Sequence, residues 1–96
     1  MYKLKPTKLF EKAITKLFRS GRLDAVVFKK VDLMLHENPF DSRLQTHKVV
    51  SKHYGKRYSS RIDGDLRIIW DFDENDNLVL LLLDIGGHEG AKGVYK

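Results

Sequence analysis

Arg61, Arg67 and His88 are the residues whose types and spacing best suit chemistry. From Leu66 to Asp73 the chain alternates. Leu66, Ile68, Trp70 and Phe72 fall on one face of a strand, and Arg67, Ile69, Asp71 and Asp73 on the other. The apolar face has to be covered, so Arg67 is left on the more open face, in the middle of a sheet. Its plainer reading is a surface arginine paired with Asp65 or Asp71, as most charges on a sheet face are. His88 follows Ile85-Gly86-Gly87. A histidine at the end of a strand can transfer protons near neutral pH, or simply bond a backbone carbonyl. The glycine-rich stretch around it turns the backbone sharply and brings His88, Lys92 and Tyr95 to the strand's end. Tyr95 there is either a stacking platform or a C-terminal anchor.

Hairpin register decides whether Arg61 joins Arg67. A two-residue Asp63-Gly64 turn pairs Arg61 with Leu66 and puts the arginines on opposite faces. It also places Arg61 among apolar residues, which is costly for a charge. A three-residue loop, Ile62-Asp63-Gly64 with Gly64 left-handed, pairs Arg61 with Asp65 and puts both arginines on one face. We expect the second register.

These residues need a frame, and the chain supplies one. Tyr2 to Lys5 reads as a short strand that Pro6 ends, with Leu4 inward and Thr7 as a helix N-cap. Leu9, Phe10, Ala13, Ile14, Leu17 and Phe18 recur at helical spacing, with Lys8, Lys12, Lys16 and Arg19 opposite and Ser20-Gly21 as the stop. A second helix starts at Asp24, carries Val27, Phe28, Val31, Met34 and Leu35, and closes at Asn38-Pro39. His36 sits in its last turn, where a cation suits the helix dipole. Phe40 to Gly55 reads as a loop, tied down by Leu44 and Val49-Val50. Tyr58 to His88 reads as a three-stranded antiparallel meander with turns at Asp63-Gly64 and Glu74-Asn75-Asp76-Asn77. Its last strand, with a run of apolar residues from Leu78 to Leu83, is expected to be central and covered on both faces. The fold class is α+β: an N-terminal strand and a helical hairpin packed on one face of a mostly antiparallel sheet.

Composition bounds the rest. Ninety-six residues suit one domain spanning 1–96. There is no cysteine, hence no disulfide, thiolate ligand or cysteine nucleophile. No apolar stretch is long enough to cross a bilayer, and the N-terminus lacks a signal-peptide core, so a cytoplasmic protein without a membrane partner is expected. The net charge of +5 is unevenly spread. Between Asp41 and Asp63 there is no acid, while Arg43, His47, Lys48, Lys52, His53, Lys56, Arg57 and Arg61 alternate with Tyr54 and Tyr58. Cations among aromatics suit a phosphate backbone with unstacked bases. The plainer reading is a solvated charge run. No phosphate loop, zincin motif or dinucleotide fingerprint is present, and the four histidines lack ligand spacing, so neither metal nor cofactor is expected.

The order of elements, the strand Arg61-Ile62-Asp63-Gly64-Asp65-Leu66-Arg67-Ile68-Ile69-Trp70 and the ending Leu83-Asp84-Ile85-Gly86-Gly87-His88-Glu89 resemble the RelE/ParE superfamily of type II toxin–antitoxin toxins, closest to its RelE/YafQ-like branch. The resemblance covers essentially the whole chain. It implies a microbial RNase fold and cleavage of mRNA in the ribosomal A site by 2′-hydroxyl attack on the adjacent phosphate, without a metal; the alternatives within the superfamily are a ParE-like inhibitor of DNA gyrase that acts by binding and a degenerate, non-catalytic member. It implies a cognate antitoxin as partner, with operator DNA met only through the antitoxin complex. Residue by residue, Arg67 matches the phosphate-stabilising arginine. Arg61 falls where relatives place a basic residue or histidine, and His88 matches the proton-transfer histidine. Tyr95 resembles the C-terminal aromatic, His47 another active-site histidine, and Asp65 an acidic residue. The basic segment Lys48, Lys52, His53, Lys56, Arg57, with Lys92, would hold RNA. Gly90-Ala91-Lys92-Gly93 departs from the branch, whose ending is usually shorter.

Overall fold

The computed structural model describes residues 1–87. Its elements run β1 (Lys3–Pro6), α1 (Lys8–Arg19), α2 (Ala25–Glu37), a 3₁₀ turn (Ser42–Leu44), β2 (His47–Ser51), β3 (Gly55–Arg61), β4 (Leu66–Asp73) and β5 (Asp76–Gly87). The strands form one sheet in the order β1-β5-β4-β3-β2. β1 runs parallel to β5, and every other pairing is antiparallel.

Local chemistry sets the helix ends. Thr7 caps α1 by accepting from the Phe10 amide, and Asp24 caps α2 by accepting from Val26 and Val27. Gly21 leaves α1 at φ +75°, a conformation that suits glycine. His36 does more than complement the helix dipole: its Nδ1 lies 2.7 Å from the Tyr2 carbonyl, and the Tyr2 amide donates to the His36 carbonyl at 2.8 Å. These two bonds tie α2 to β1.

Both helices cover one face of the sheet, as the alternation in β4 requires. Leu66, Ile68 and Trp70 are fully buried there with Leu80, Leu82 and Ile85 of β5, under Phe10, Val31 and Leu35 of the helices. β5 lies between β1 and β4; Leu80, Leu82 and Ile85 on its helix side and Gly86 on the other face are buried, while Val79, Leu81 and Leu83 on that other face are half-buried. The expected two-sided cover of this strand is therefore complete on the helix side and partial on the other.

Two further expectations are corrected. The stretch read as a loop contains the 3₁₀ turn and the edge strand β2, paired to β3 from His47↔Ser59 to Ser51↔Gly55. Basic residues interrupt its apolar pattern, and an edge strand needs little burial to pair. Leu44 is buried as expected, whereas Val50 is 72% exposed and ties nothing to the core. The Arg61 register also differs. Arg61 pairs with Arg67, and the Ile62 amide donates to Leu66 across a loop of Asp63-Gly64-Asp65. This shifts the register by two residues from that expected, so both arginines still share a face. Gly64 is not left-handed. Asp63 shapes the turn instead, its Oδ1 accepting from the amides of Asp65 and Leu66.

Candidate active site

The sheet face opposite the helices carries three rows of residues, fixed by register. Arg61, Arg67 and Gly86 form one row across β3, β4 and β5. His47, Ser59, Ile69 and Asp84 form the next across β2 to β5. Val49 and Arg57, with Asp71 and Leu81, form the third. Strand and row spacings place the His47 Cα about 8 Å from that of Arg61 and about 12 Å from that of Arg67.

The two arginines meet at one acceptor. Arg61 Nε donates to the Asp63 carbonyl at 2.9 Å, and Arg67 Nη1 to the same oxygen at 2.8 Å. Arg67 also reaches the Leu66 carbonyl at 3.1 Å, and Arg61 Nη1 the Gln45 Oε1 at 3.2 Å. Among the described residues neither makes a salt bridge. The carboxylates that a bland reading assigns to Arg67 are engaged elsewhere: Asp71 holds Arg57 at 2.8 Å, and Asp65 holds Arg22. Two cations side by side, bonded among the described residues to neutral oxygens, keep their charge available for an anion.

His47 stands at the edge of this cluster, exposed, with Nδ1 2.9 Å from the Gln45 carbonyl. A carbonyl only accepts, so Nδ1 carries the proton and Nε2 of the neutral ring is free to take another. Gln45 thus positions both His47 and Arg61. It does so from a left-handed conformation, φ +48°, that a non-glycine residue rarely adopts. Nothing in the sequence marks Gln45, because its role comes from a backbone turn at the end of the 3₁₀ segment.

Tyr54, at the β2–β3 turn, donates from Oη to Asp84 Oδ2 at 2.6 Å across the open face. Burial, and then the bond to Asp84, pushes its phenol well above the usual range. Arg57 Nε donates to the Tyr54 carbonyl at 3.0 Å while its Nη1 holds Asp71. This end of the open face is therefore closed by its own groups.

The residues expected to hold RNA are divided. Arg57 lies on the arginine face. Lys48 and Lys56 point to the opposite, helix-side face, with Lys48 Nζ 5.7 Å from the Tyr58 ring centre. Lys52 and His53 sit exposed in the β2–β3 turn, His53 packed edge-on against Tyr54 at 4.6 Å. His88, Lys92 and Tyr95 lie outside the described residues. Among the described residues no group of three or more acids and histidines is placed to hold a metal ion.

No family model and no curated protein sequence matches the chain. Solved structures do match. A copper-bound mutant toxin from Helicobacter pylori is 29% identical, with a TM-score of 0.72, covering 92% of this chain and 96% of that one. YafQ from E. coli strain BL21(DE3) is 17% identical, with a TM-score of 0.69 over 91% of this chain and 93% of its own. A chain of the E. coli DinJ–YafQ complex is 18% identical, with a TM-score of 0.68 over 92% and 94%. The chain thus shares its fold with these toxin structures.

Proposed function

We propose that this chain, as a single domain, is the toxin of a type II toxin–antitoxin pair and cleaves mRNA on the ribosome. The fold and the likeness to toxin structures support the class. The DinJ–YafQ complex supports a cognate antitoxin as partner. The observation that carries the RNase reading is the Arg61–Arg67 pair, two guanidinium groups that share one carbonyl on the open sheet face and, among the described residues, make no salt bridge.

The chemistry assigns these groups roles. A base removes the proton of the 2′-hydroxyl, whose oxygen attacks the adjacent phosphorus. The 5′-oxygen leaves with a proton from an acid, and a cyclic phosphate end remains. The phosphorane carries extra negative charge, which Arg67, assisted by Arg61, would stabilise. His47, through Nε2, and His88 are the proton-transfer candidates, and Tyr95 a stacking group. Basic side chains of the β2–β3 hairpin, with Lys92, would bind the RNA backbone. Such a reaction requires no metal, and its setting is the cytoplasm. No helix among the described residues is long and apolar enough to cross a membrane. Operator DNA would be met only through the antitoxin complex.

The test is a pulse of expression in a bacterial host with mapping of mRNA 5′ ends, beside an Arg67→Ala control. New ends in phase with codons, absent in the control, are expected. Growth arrest with DNA damage and intact mRNA would instead place the chain with the gyrase-binding toxins of the same fold.

A further inference from the structure

The helix-side face of the β2–β3 hairpin carries a second concavity, away from Arg61 and Arg67. It has a volume of about 120 Å³ and is lined by Lys48, Lys56, Arg57, Tyr58, Asp71 and Phe72. Pockets for whole small-molecule ligands are typically about 300–1,000 Å³, so this notch has room for one flat ring. Its aromatic wall is rigid. Tyr58 stacks on Trp70 at 4.8 Å with 20° between the planes, and fully buried Trp70 donates from Nε1 to Ser60 Oγ at 2.7 Å. Phe72 meets Tyr58 edge-on at 5.8 Å, and Phe40, 49% exposed, meets it at 5.4 Å.

Charge completes the notch. Among the described residues neither Lys48 nor Lys56 is in a salt bridge, and the Asp71 carboxylate is neutralised by Arg57. The Arg57 and Asp71 side chains pair with each other on the arginine face and cancel, so Lys48 and Lys56 leave the lining net positive. Ammonium groups beside an aromatic wall suit a base that stacks while its neighbouring phosphates pair.

We propose that this notch takes one unstacked base of a single-stranded RNA, with the flanking phosphates on Lys48 and Lys56. The inference rests on the RNase reading and adds a second contact to it. His47 and Lys48 are successive residues of β2 and point to opposite faces. β2 is an edge of the sheet, so an RNA strand leaving the arginine face need only round one β-strand to reach the notch. The hairpin is thereby gripped on both faces, and the notched base lies on the same strand as the scissile phosphate.

The test is fluorescence anisotropy with a short, labelled, non-cleavable 2′-O-methyl oligonucleotide, using the whole chain. Lys48→Glu/Lys56→Glu should weaken binding about tenfold or more, because two phosphate contacts are lost and reversed. A charge-matched control on α2, Lys29→Glu/Lys30→Glu, should change it by less than about twofold. An abasic position in the oligonucleotide should cost the wild type about fivefold or more, as loss of one stacked base does. Equal weakening by the control overturns the proposal, as does equal affinity for the abasic strand. Retained RNA affinity with lost antitoxin affinity in Lys48→Glu/Lys56→Glu overturns it too and makes the notch a protein-docking surface. The two readings separate: tight, base-dependent RNA binding without codon-phased cleavage leaves the notch and removes the RNase. Codon-phased cleavage with unchanged affinity in Lys48→Glu/Lys56→Glu does the reverse.

Discussion

The open face of the sheet has two ends built from similar residues and put to different use. At one end Arg57 is locked to Asp71 and Tyr54 to Asp84, at 2.8 and 2.6 Å. At the other, Arg61 and Arg67 share a backbone carbonyl and, among the described residues, make no salt bridge. A guanidinium paired to a carboxylate has spent its charge on the fold. One held by neutral oxygens is fixed in place with its charge intact. On the proposed function, the partner of a cation, more than its presence, separates a structural position from a functional one.

Arg67→Ala should break the comparison most visibly. It should lower cleavage by about 2–4 kcal/mol of transition-state stabilisation, the size of one preorganised donor lost. The thermal midpoint should barely move, because no paired group is orphaned. A large loss of stability with unchanged cleavage would reverse the assignment of the two ends.

Tyr54→Phe tests the other end. Removing the phenol leaves Asp84 without this donor and should cost about 1–2 kcal/mol of stability in denaturant unfolding. Its pH dependence has a definite sign. The phenol is held above its ordinary value of 10.0 in the fold, so its contribution is complete below about pH 10 and is lost as pH rises beyond it. The wild type's advantage over Tyr54→Phe should shrink only on that alkaline side.

Gln45→Gly sharpens the contrast within one residue. Glycine accepts φ +48° freely, so stability should rise or hold within about 1 kcal/mol. Cleavage should fall, because Arg61 loses its Oε1 tether while the backbone carbonyl that orients His47 stays. Restored activity in Gln45→Asn, with lost activity in Gln45→Gly, would mark the side-chain amide as the positioning group.

The smallest effect belongs to Asp41, outside both ends. Its bonds to Arg43 hold its carboxyl at about 2, below the ordinary 3.8. A depressed carboxyl stabilises above its unfolded value and loses that as pH falls. The difference between wild type and Asp41→Asn should therefore vanish between about pH 4 and pH 2. A constant difference across that window would show that the Arg43 bonds do not hold the Asp41 charge in place.

Much of this was readable in the chain. Period 3.6 in α1 and α2 and period 2 in β4 set the layers, because each apolar face has one way to leave water. Thr7, Asp24 and Asn38-Pro39 marked helix ends through local hydrogen bonding and sterics. β2 was hidden, since an edge strand with Lys48 and Val50 exposed carries no burial signal. The notch was hidden for the same reason: Lys48 and Arg57 look alike in a basic run, and only pairing puts them on opposite faces.

The sequence by itself determined the α+β class, the covered face of β4 and the side on which Arg67 stands. Each follows from a periodicity of one or two turns of backbone. Only the tertiary structure decided which carboxylate each arginine keeps, that Gln45 reaches Arg61 and that Tyr54 closes over to Asp84. Those contacts join residues 14 to 43 apart in sequence, and chain proximity has no bearing on them. They depend on strand order and register, which side-chain identity alone does not encode.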